Sequence, residues 1–435
     1  MLQCGNPQVS VRHLCCACKS TLDTSSGHHY TCEMNKTAPR FLDRTTPPHI
    51  ATLILISGLA AMSMNVFLPS LPNMAAYFQT DYRVMQLSVS VYLAFSAVLQ
   101  LVIGPISDRY GRRRILLIAM IVFVIASLGT LLAPSAEIFL FFRMLQAAIA
   151  VSMALSRAIV RDMVDEAQAA SMIAYVTLGM SIVPMLGPVI GGALDEAFGW
   201  QATFVLLTVL GVVVFALTWV DLGETTVNRP TSLREQIRQY PELLMSPRFW
   251  GYVMTTAFAS GTFFAYLGGA PFVGTVIYGL SPSQLGVFFG VTGAGYGLGN
   301  FFSGRYSTRL GTIRMINLGN SAMAFGIGLQ IIAWYLGLGA MGFFLPFLIV
   351  GVGNGLVLPN SNAGMLSVRP HLAGTASGLG GAIMIGGGAA LSALAGAVLT
   401  AETGSWPLLA IMGASLTGSI IAMQIVMRRN RQLGV

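Results

Sequence analysis

Few residues in this chain can do chemistry, because most of it is apolar. Arg143 stands out: it lies inside a long apolar run, with Gln146 one helical turn further on. If that helix begins at Glu137, the guanidinium enters about 9 Å below its end, at roughly 1.5 Å per residue. A buried arginine is costly to insert and is kept mainly where it faces a cavity or a partner. It would bind acceptors on a substrate or tune a proton site; the competing reading is an arginine that snorkels to the outer interface. Asn65 lies at similar depth in another run. Its amide donates and accepts, so it binds a polar substrate group, pairs with Arg143, or joins two helices. Tyr92, Tyr175 and Tyr266, with Phe263, Phe264, Phe288 and Tyr296, are candidates to line an adaptable apolar cavity, although any single one is as readily packing. No Asp, Glu or His falls in the middle of a run. Asp81, Glu137, Asp195 and Glu196 lie toward one end of the runs and Asp108 toward the other, so the residues alone supply no embedded proton carrier.

A second cluster is Gly104-Pro-Ile-Ser-Asp108-Arg109-Tyr-Gly111-Arg112-Arg113-Arg114, a charged turn between two apolar runs. The chain repeats it 200 residues later as Gly304-Arg-Tyr-Ser307-Thr308-Arg309-Leu-Gly311-Thr-Ile-Arg314. Asp108 can pair with Arg112 one turn on, or with Arg161. A conformational latch is expected here, with positive-inside anchoring as the plainer alternative. The second copy has Thr308 in place of the acid, so the latch is expected in the first copy only.

These residues need membrane helices to hold them. The 435 residues are 54% hydrophobic and 9% charged, against about 25% charged in ordinary soluble domains. The apolar runs reach lengths that cross a hydrocarbon core of about 30 Å. Alternating strands are absent, so the spans are helices. Twelve are expected, near 50–71, 85–106, 115–133, 138–157, 169–192, 202–220, 250–272, 285–303, 314–336, 341–359, 373–399 and 406–427. The polar stretch 222–248 divides them into bundles over 49–221 and 249–429, leaving a short tail at 430–435. With both termini cytoplasmic, 22 of the 24 Lys and Arg residues fall on the cytoplasmic side. That explains the net charge of +8 without a nucleic-acid partner. Residues 1–48 form a cytoplasmic extension holding all five cysteines, too irregularly spaced for a metal site to be expected. No cleavable signal peptide is expected, and Met34 is the favoured translation start.

The duplicated six-plus-six pattern and the loop Gly104–Arg114 resemble the major facilitator superfamily and its helix 2–3 signature. Arg143-Met-Leu-Gln146-Ala is similar to a motif of its proton-coupled members, with Ala147 replacing a glycine. Gly179 through Pro184, Gly187-Pro188 and Gly191-Gly192 resemble the signature of drug antiporters. Phe67-Leu-Pro69-Ser-Leu-Pro72, Arg157-Ala-Ile-Val-Arg161-Asp162, Pro359-Asn360 and Ala373–Gly378 resemble the bicyclomycin/chloramphenicol-resistance subfamily. Where many members of that subfamily carry an acid, this chain has Asn65.

The resemblance implies a fold: all-α, twelve transmembrane helices in two six-helix bundles related by a pseudo-two-fold axis. It implies a monomeric, multi-pass exporter of the bacterial inner membrane, acting on small apolar compounds by alternating access. Protons would be the coupling ion and no cofactor is needed. Pro184 and Pro188 predict a kink, and the small stripe Gly374, Gly378, Ala382, Gly386 and Ala390 predicts close packing. Spans five and eleven are expected at the moving interface between bundles. A single-metabolite transporter and a non-transporting sensor are the alternatives; no catalytic or metal constellation favours an enzyme.

Overall fold

Helix is the only regular structure in the computed structural model, which describes residues 41–163, 166–225, 241–369 and 372–433. A helix satisfies its own backbone hydrogen bonds, the condition for crossing a medium without water. The first half comprises α1 (Ile50–Asn65), a short α2 (Leu71–Tyr77), α3 (Tyr82–Tyr110), α4 (Arg112–Leu131), α5 (Ala136–Gln146), α6 (Val151–Met163), α7 (Glu166–Phe198) and α8 (Gln201–Asp221). The second comprises α9 (Pro247–Phe272), α10 (Pro282–Leu310), α11 (Thr312–Tyr335), a short α12 (Gly339–Phe344), α13 (Phe347–Ser367), α14 (Ala373–Val398) and α15 (Trp406–Leu433). Joining α5 to α6 through the 3₁₀ turn Ala147–Ala150, α1 to α2 through Leu68–Ser70, and α12 to α13, ten described helical segments are long and apolar enough to cross a membrane. The helices α7 and α10, of 33 and 29 residues, are outside those ten but are long enough by length alone.

Several boundaries differ from the sequence expectation. The first span stops being α-helical at Asn65, because Pro69 and Pro72 each lack an N–H to continue the ladder. The fourth runs past 157 to Met163, carrying Arg157 and Arg161 on a continuous helix. The helix α7 is unbroken across both Pro184 and Pro188. The residues 1–40 and most of 222–248, with the cysteine cluster and the central linker, lie outside the described residues.

The two copies of the charged turn have matching backbones. Gly111 and Gly311 adopt φ +92° and +81°, where a side chain would be strained, and each donates its N–H to a serine carbonyl four residues back, Ser107 or Ser307, at 2.9 Å. The helices that precede them, α3 and α10, have the same length and the same 200-residue offset.

The halves meet along two helix pairs, α7 with α10 and α3 with α14. Spans five and eleven thus both lie between the halves, but each packs on a different partner, span eight and span two. Small residues let the backbones touch: a Cβ on Gly286 would strike the Pro188 carbonyl, and one on Gly293 would lie 2.7 Å from the Met185 nitrogen. The small stripe of α14 faces α3, with Gly378 beside the Gln100 carbonyl and Gly386 beside Ala97.

Candidate functional site

Arg143 is fully buried and is held at the junction of α1, α3 and α5. Its Nη1 donates to Gln146 Oε1 at 2.7 Å and to Ser63 Oγ at 3.2 Å; Nη2 donates to the Ser63 carbonyl at 2.7 Å. Gln146 in turn donates through Nε2 to Ser127 Oγ at 2.8 Å, tying α5 to α4. The guanidinium lies between two rings, 4.2 Å from the Phe67 centroid and 4.3 Å from that of Tyr92. Ring faces attract a cation when water is excluded, which compensates in part for its desolvation. Local sequence explains the placement: Ser135 caps α5, and Arg143 and Gln146 follow one turn apart on its buried face.

No carboxylate is paired with this arginine among the described residues. A guanidinium does not lose its proton in a protein, so the first half holds a fixed, buried positive charge balanced only by dipoles and ring faces. Its Nε is buried without a hydrogen-bond partner. Asn65 does not pair with Arg143: its Nδ2 donates back to the Ala61 carbonyl at 2.9 Å, and its Oδ1 is buried without a partner. Two buried polar atoms are thus left without a hydrogen-bond partner, a donor on Arg143 and an acceptor on Asn65.

Of the expected site residues, the structure brings Arg143, Gln146 and Tyr92 into one cluster and places Asn65 one half-turn from Ser63 on the same helix. Tyr266 belongs elsewhere: it is buried in the second half, stacked on Phe347 at 3.7 Å. The side chain of Tyr175 lies outside the described residues. Ser63, Phe67 and Ser127 were not anticipated; their signal is weak, since serine and phenylalanine are common in membrane helices. Asn354 in α13 was also missed, a buried amide with neither atom bonded.

The glycines of the α7 signature work by close approach. A Cβ on Gly191 would strike the Val66 carbonyl, and one on Gly192 the Pro282 carbonyl of the other half. Gly187 lies over Met62 and Asn65, so α7 covers the layer that holds the unsatisfied amide. Of Gly179 and Pro184 only the helical backbone is described.

At the arginine-rich end, Arg112 bridges two acids: Nη1 lies 2.8 Å from Asp162 Oδ2 and Nη2 3.4 Å from Asp108 Oδ1. Of the two partners expected for Asp108, Arg112 is therefore the one it has; Arg161 is exposed, and Arg109 lies over the Tyr110 ring. Glu224 accepts from the Arg112 backbone N–H at 3.0 Å and fills the space where Gly111 lacks a side chain. Arg113 donates to the carbonyls of Leu222 and Trp219. A carbon at Gly104 would touch nothing within 4 Å. The cluster thus joins α3, α4, α6 and the end of α8, all in the first half. Among the described residues no group of His, Cys, Asp and Glu is arranged to hold a metal.

The profile of the Major Facilitator Superfamily matches residues 53–393. The chain is 32% identical to the chloramphenicol resistance protein of Pseudomonas aeruginosa over 77% of this chain and 82% of that one. It is 28% identical to the bicyclomycin resistance protein homolog of Haemophilus influenzae, covering 88% of this chain and 96% of that one. Among solved structures it superposes on a peptide transporter, POT, with TM-score 0.70 at 16% identity, covering 88% and 95% of the two chains. A bacterial homolog of the lysosomal transporter Spinster, inward-facing, superposes at 0.66 with 18% identity, over 88% and 96%.

Proposed function

The chain belongs to the major facilitator superfamily, and from that premise we propose that this membrane transporter exports small, neutral, largely apolar compounds bearing a polar group. The observation that carries the reading is the buried, acid-free arginine layer, in a chain similar to a chloramphenicol resistance protein over 82% of that protein. A fixed positive charge favours the oxygen of a hydroxyl, carbonyl or nitro group and repels a cation. Asn65 in place of an acid removes the group that would reverse that preference.

Transport proceeds by alternating access between two six-helix bundles, 49–221 and 249–429, related by a pseudo-two-fold axis and counting α7 and α10 among twelve spans. Support comes from where the halves touch. At the end remote from the arginines, Tyr82 donates to the Gly268 carbonyl at 3.0 Å, and Gln86 Nε2 donates to the carbonyl and hydroxyl of Ser392 at 2.7 and 3.0 Å. There too Glu196 Oε2 accepts from Ser281 Oγ at 3.1 Å and from the Ser283 N–H at 3.3 Å. These contacts seal one face. The positive-inside rule makes the opposite, arginine-rich face cytoplasmic, together with both termini. The inner membrane of a bacterium is the proposed site, and the proton gradient the proposed energy source.

The test is accumulation of chloramphenicol and of the cation ethidium in cells with and without the chain, each with and without a protonophore. Lower chloramphenicol accumulation that a protonophore reverses supports the reading; equal accumulation of both compounds with and without the chain refutes drug export and leaves a transporter of one metabolite.

A further inference from the structure

Two carboxylates are buried among the described residues, Asp195 and Asp221. Asp221 is fully bonded: its two oxygens accept the N–H groups of Leu42 and His49 at 2.7 and 2.9 Å. Asp195 is different. It lies just beyond the apolar run 169–192, near the end of α7, and is 5% exposed. One amide serves it, Asn73 Nδ2 donating to Oδ2 at 2.8 Å. The Ser70 hydroxyl lies beside the same carboxyl, buried and without a completed hydrogen bond. No cation is paired with it among the described residues.

The position matters as much as the bonding. Asp195 is clasped between α7 and the connector Leu68–Tyr77, and both rest on the second half at the sealed face. The connector packs on α9 and α10. On α7, Gly192 abuts the Pro282 carbonyl and Glu196 holds Ser281 and Ser283. Of other titratable groups, Glu196 is adjacent and exposed, and Tyr77 stacks on Trp200. The rest of the connector, the end of α9, the start of α10 and the start of α8 present no charge.

We propose that Asp195 is a proton-binding site of the outer seam, taking one proton from the outside water when the seam closes and returning it when the seam opens. Closure removes water from a carboxylate that keeps only the Asn73 amide and the neighbouring Ser70 hydroxyl, which disfavours its charged form. Burial accordingly pushes the Asp195 carboxyl up, against the opposing effect of Asn73 and Ser70 and with help from the neighbouring Glu196 charge. The protonated acid has an acceptor ready in Ser70 Oγ. The sealed state therefore binds more protons than the open, hydrated one. Its advantage is present at low outer pH and is lost as pH rises through the sealed-state value. A difference of one unit in proton affinity between the two states would shift the sealed-to-open ratio by about tenfold. Outside acidity would thus favour the inward-open state of an empty exporter; because the proton is taken from and returned to the outside water, Asp195 biases the equilibrium by outer pH and carries no net proton across the membrane.

This inference rests on alternating access, and its test separates the two. Spin labels are placed at Leu132→Cys and Tyr335→Cys, which are 81% and 83% exposed at the sealed end of either half, in the full chain with its native cysteines changed to serine. Electron–electron distances are read between about pH 8 and about pH 5, which brackets a raised carboxyl. The wild type should gain the shorter distance as pH falls. Asp195→Asn, which keeps an acceptor for Asn73 but does not ionise, should hold one ratio across the range. Asn73→Ala removes the donor to the charged form and should move the midpoint to higher pH. A single distance at every pH, unchanged by chloramphenicol, overturns alternating access itself. Two populations whose ratio ignores pH, an Asn73→Ala midpoint at or below that of wild type, or an Asp195→Asn variant that titrates like wild type, overturn only the role of Asp195.

Discussion

Replacing Arg143 tests whether its charge or its shape governs the site. The guanidinium is fixed by two hydrogen bonds of 2.7 Å in different directions, to Ser63 O and Gln146 Oε1, and by two ring faces. Arg143→Lys keeps the charge but offers one nitrogen, so it retains one of those bonds. Losing the other, at about 1.5–3 kcal/mol for a charge-assisted bond, together with a weaker ring contact, puts the cost at roughly 3 kcal/mol. Arg143→Met keeps much of the volume and removes the charge. A cation on the far face of Tyr92 would lie about 8 Å from the guanidinium carbon, one ring contact beyond the observed 4.3 Å. At an effective dielectric of about 20 the repulsion there is about 2 kcal/mol, or roughly 30-fold in affinity. Arg143→Met should therefore raise binding of ethidium relative to chloramphenicol by about that factor, while Arg143→Lys keeps the wild-type preference with lower thermal stability. Equilibrium binding of both compounds to purified protein measures the ratio. An unchanged ratio in Arg143→Met would refute the charge argument, whatever happened to transport rates.

Other substitutions probe the frame. Gly191→Ala pushes a carbon into the Val66 carbonyl and should lower stability by about 1–3 kcal/mol, read as an earlier thermal unfolding of the purified protein. Gln146→Leu takes the 2.7 Å acceptor from Arg143 Nη1, which keeps Ser63 Oγ at 3.2 Å, and the donor from Ser127 Oγ, which still donates to the Phe123 carbonyl; about 1–3 kcal/mol of stability should go, with a larger loss in chloramphenicol transport than in membrane insertion. Asp221→Ala leaves the N–H groups of Leu42 and His49 without acceptors, so residues 41–49 should be cut faster by added protease. Arg112→Gln releases Asp108 and Asp162 from one cation and should change transport rate more than the amount of protein in the membrane.

Much of this was legible because membranes restrict the choices. Apolar length, the sign of the loops and the 200-residue repeat are local or periodic properties, and a helix is the solution each run can adopt without a partner. Arg143 and Gln146 were legible together because one turn separates them on a single helix. Their acceptors were not: Ser63 is 80 residues away from Arg143 and Ser127 lies on another helix. Of the three roles open to Asn65, pairing with Arg143 is not taken, for a related reason. Matching depth does not fix which side of a helix faces inward, and the Asn65 amide turns back onto its own helix. The pair Asp108–Arg112 was legible for the same reason as Arg143 and Gln146, one turn of separation, whereas the second acid Asp162 was not, since it and Arg161 are neighbours in sequence but face different ways on α6.

The sequence by itself determined that this is a chain of membrane helices, which end bears the arginines, and that a charged turn was copied. Each of these follows from residue type and spacing along one strand of chain. Tertiary structure decided what the polar residues mean. It left the buried Arg143 without an acid among the described residues, saturated Asp221 but not Asp195, and set α7 on α10 and α3 on α14. Those outcomes depend on which helix faces meet, and small-residue packing settles that only when the helices come together.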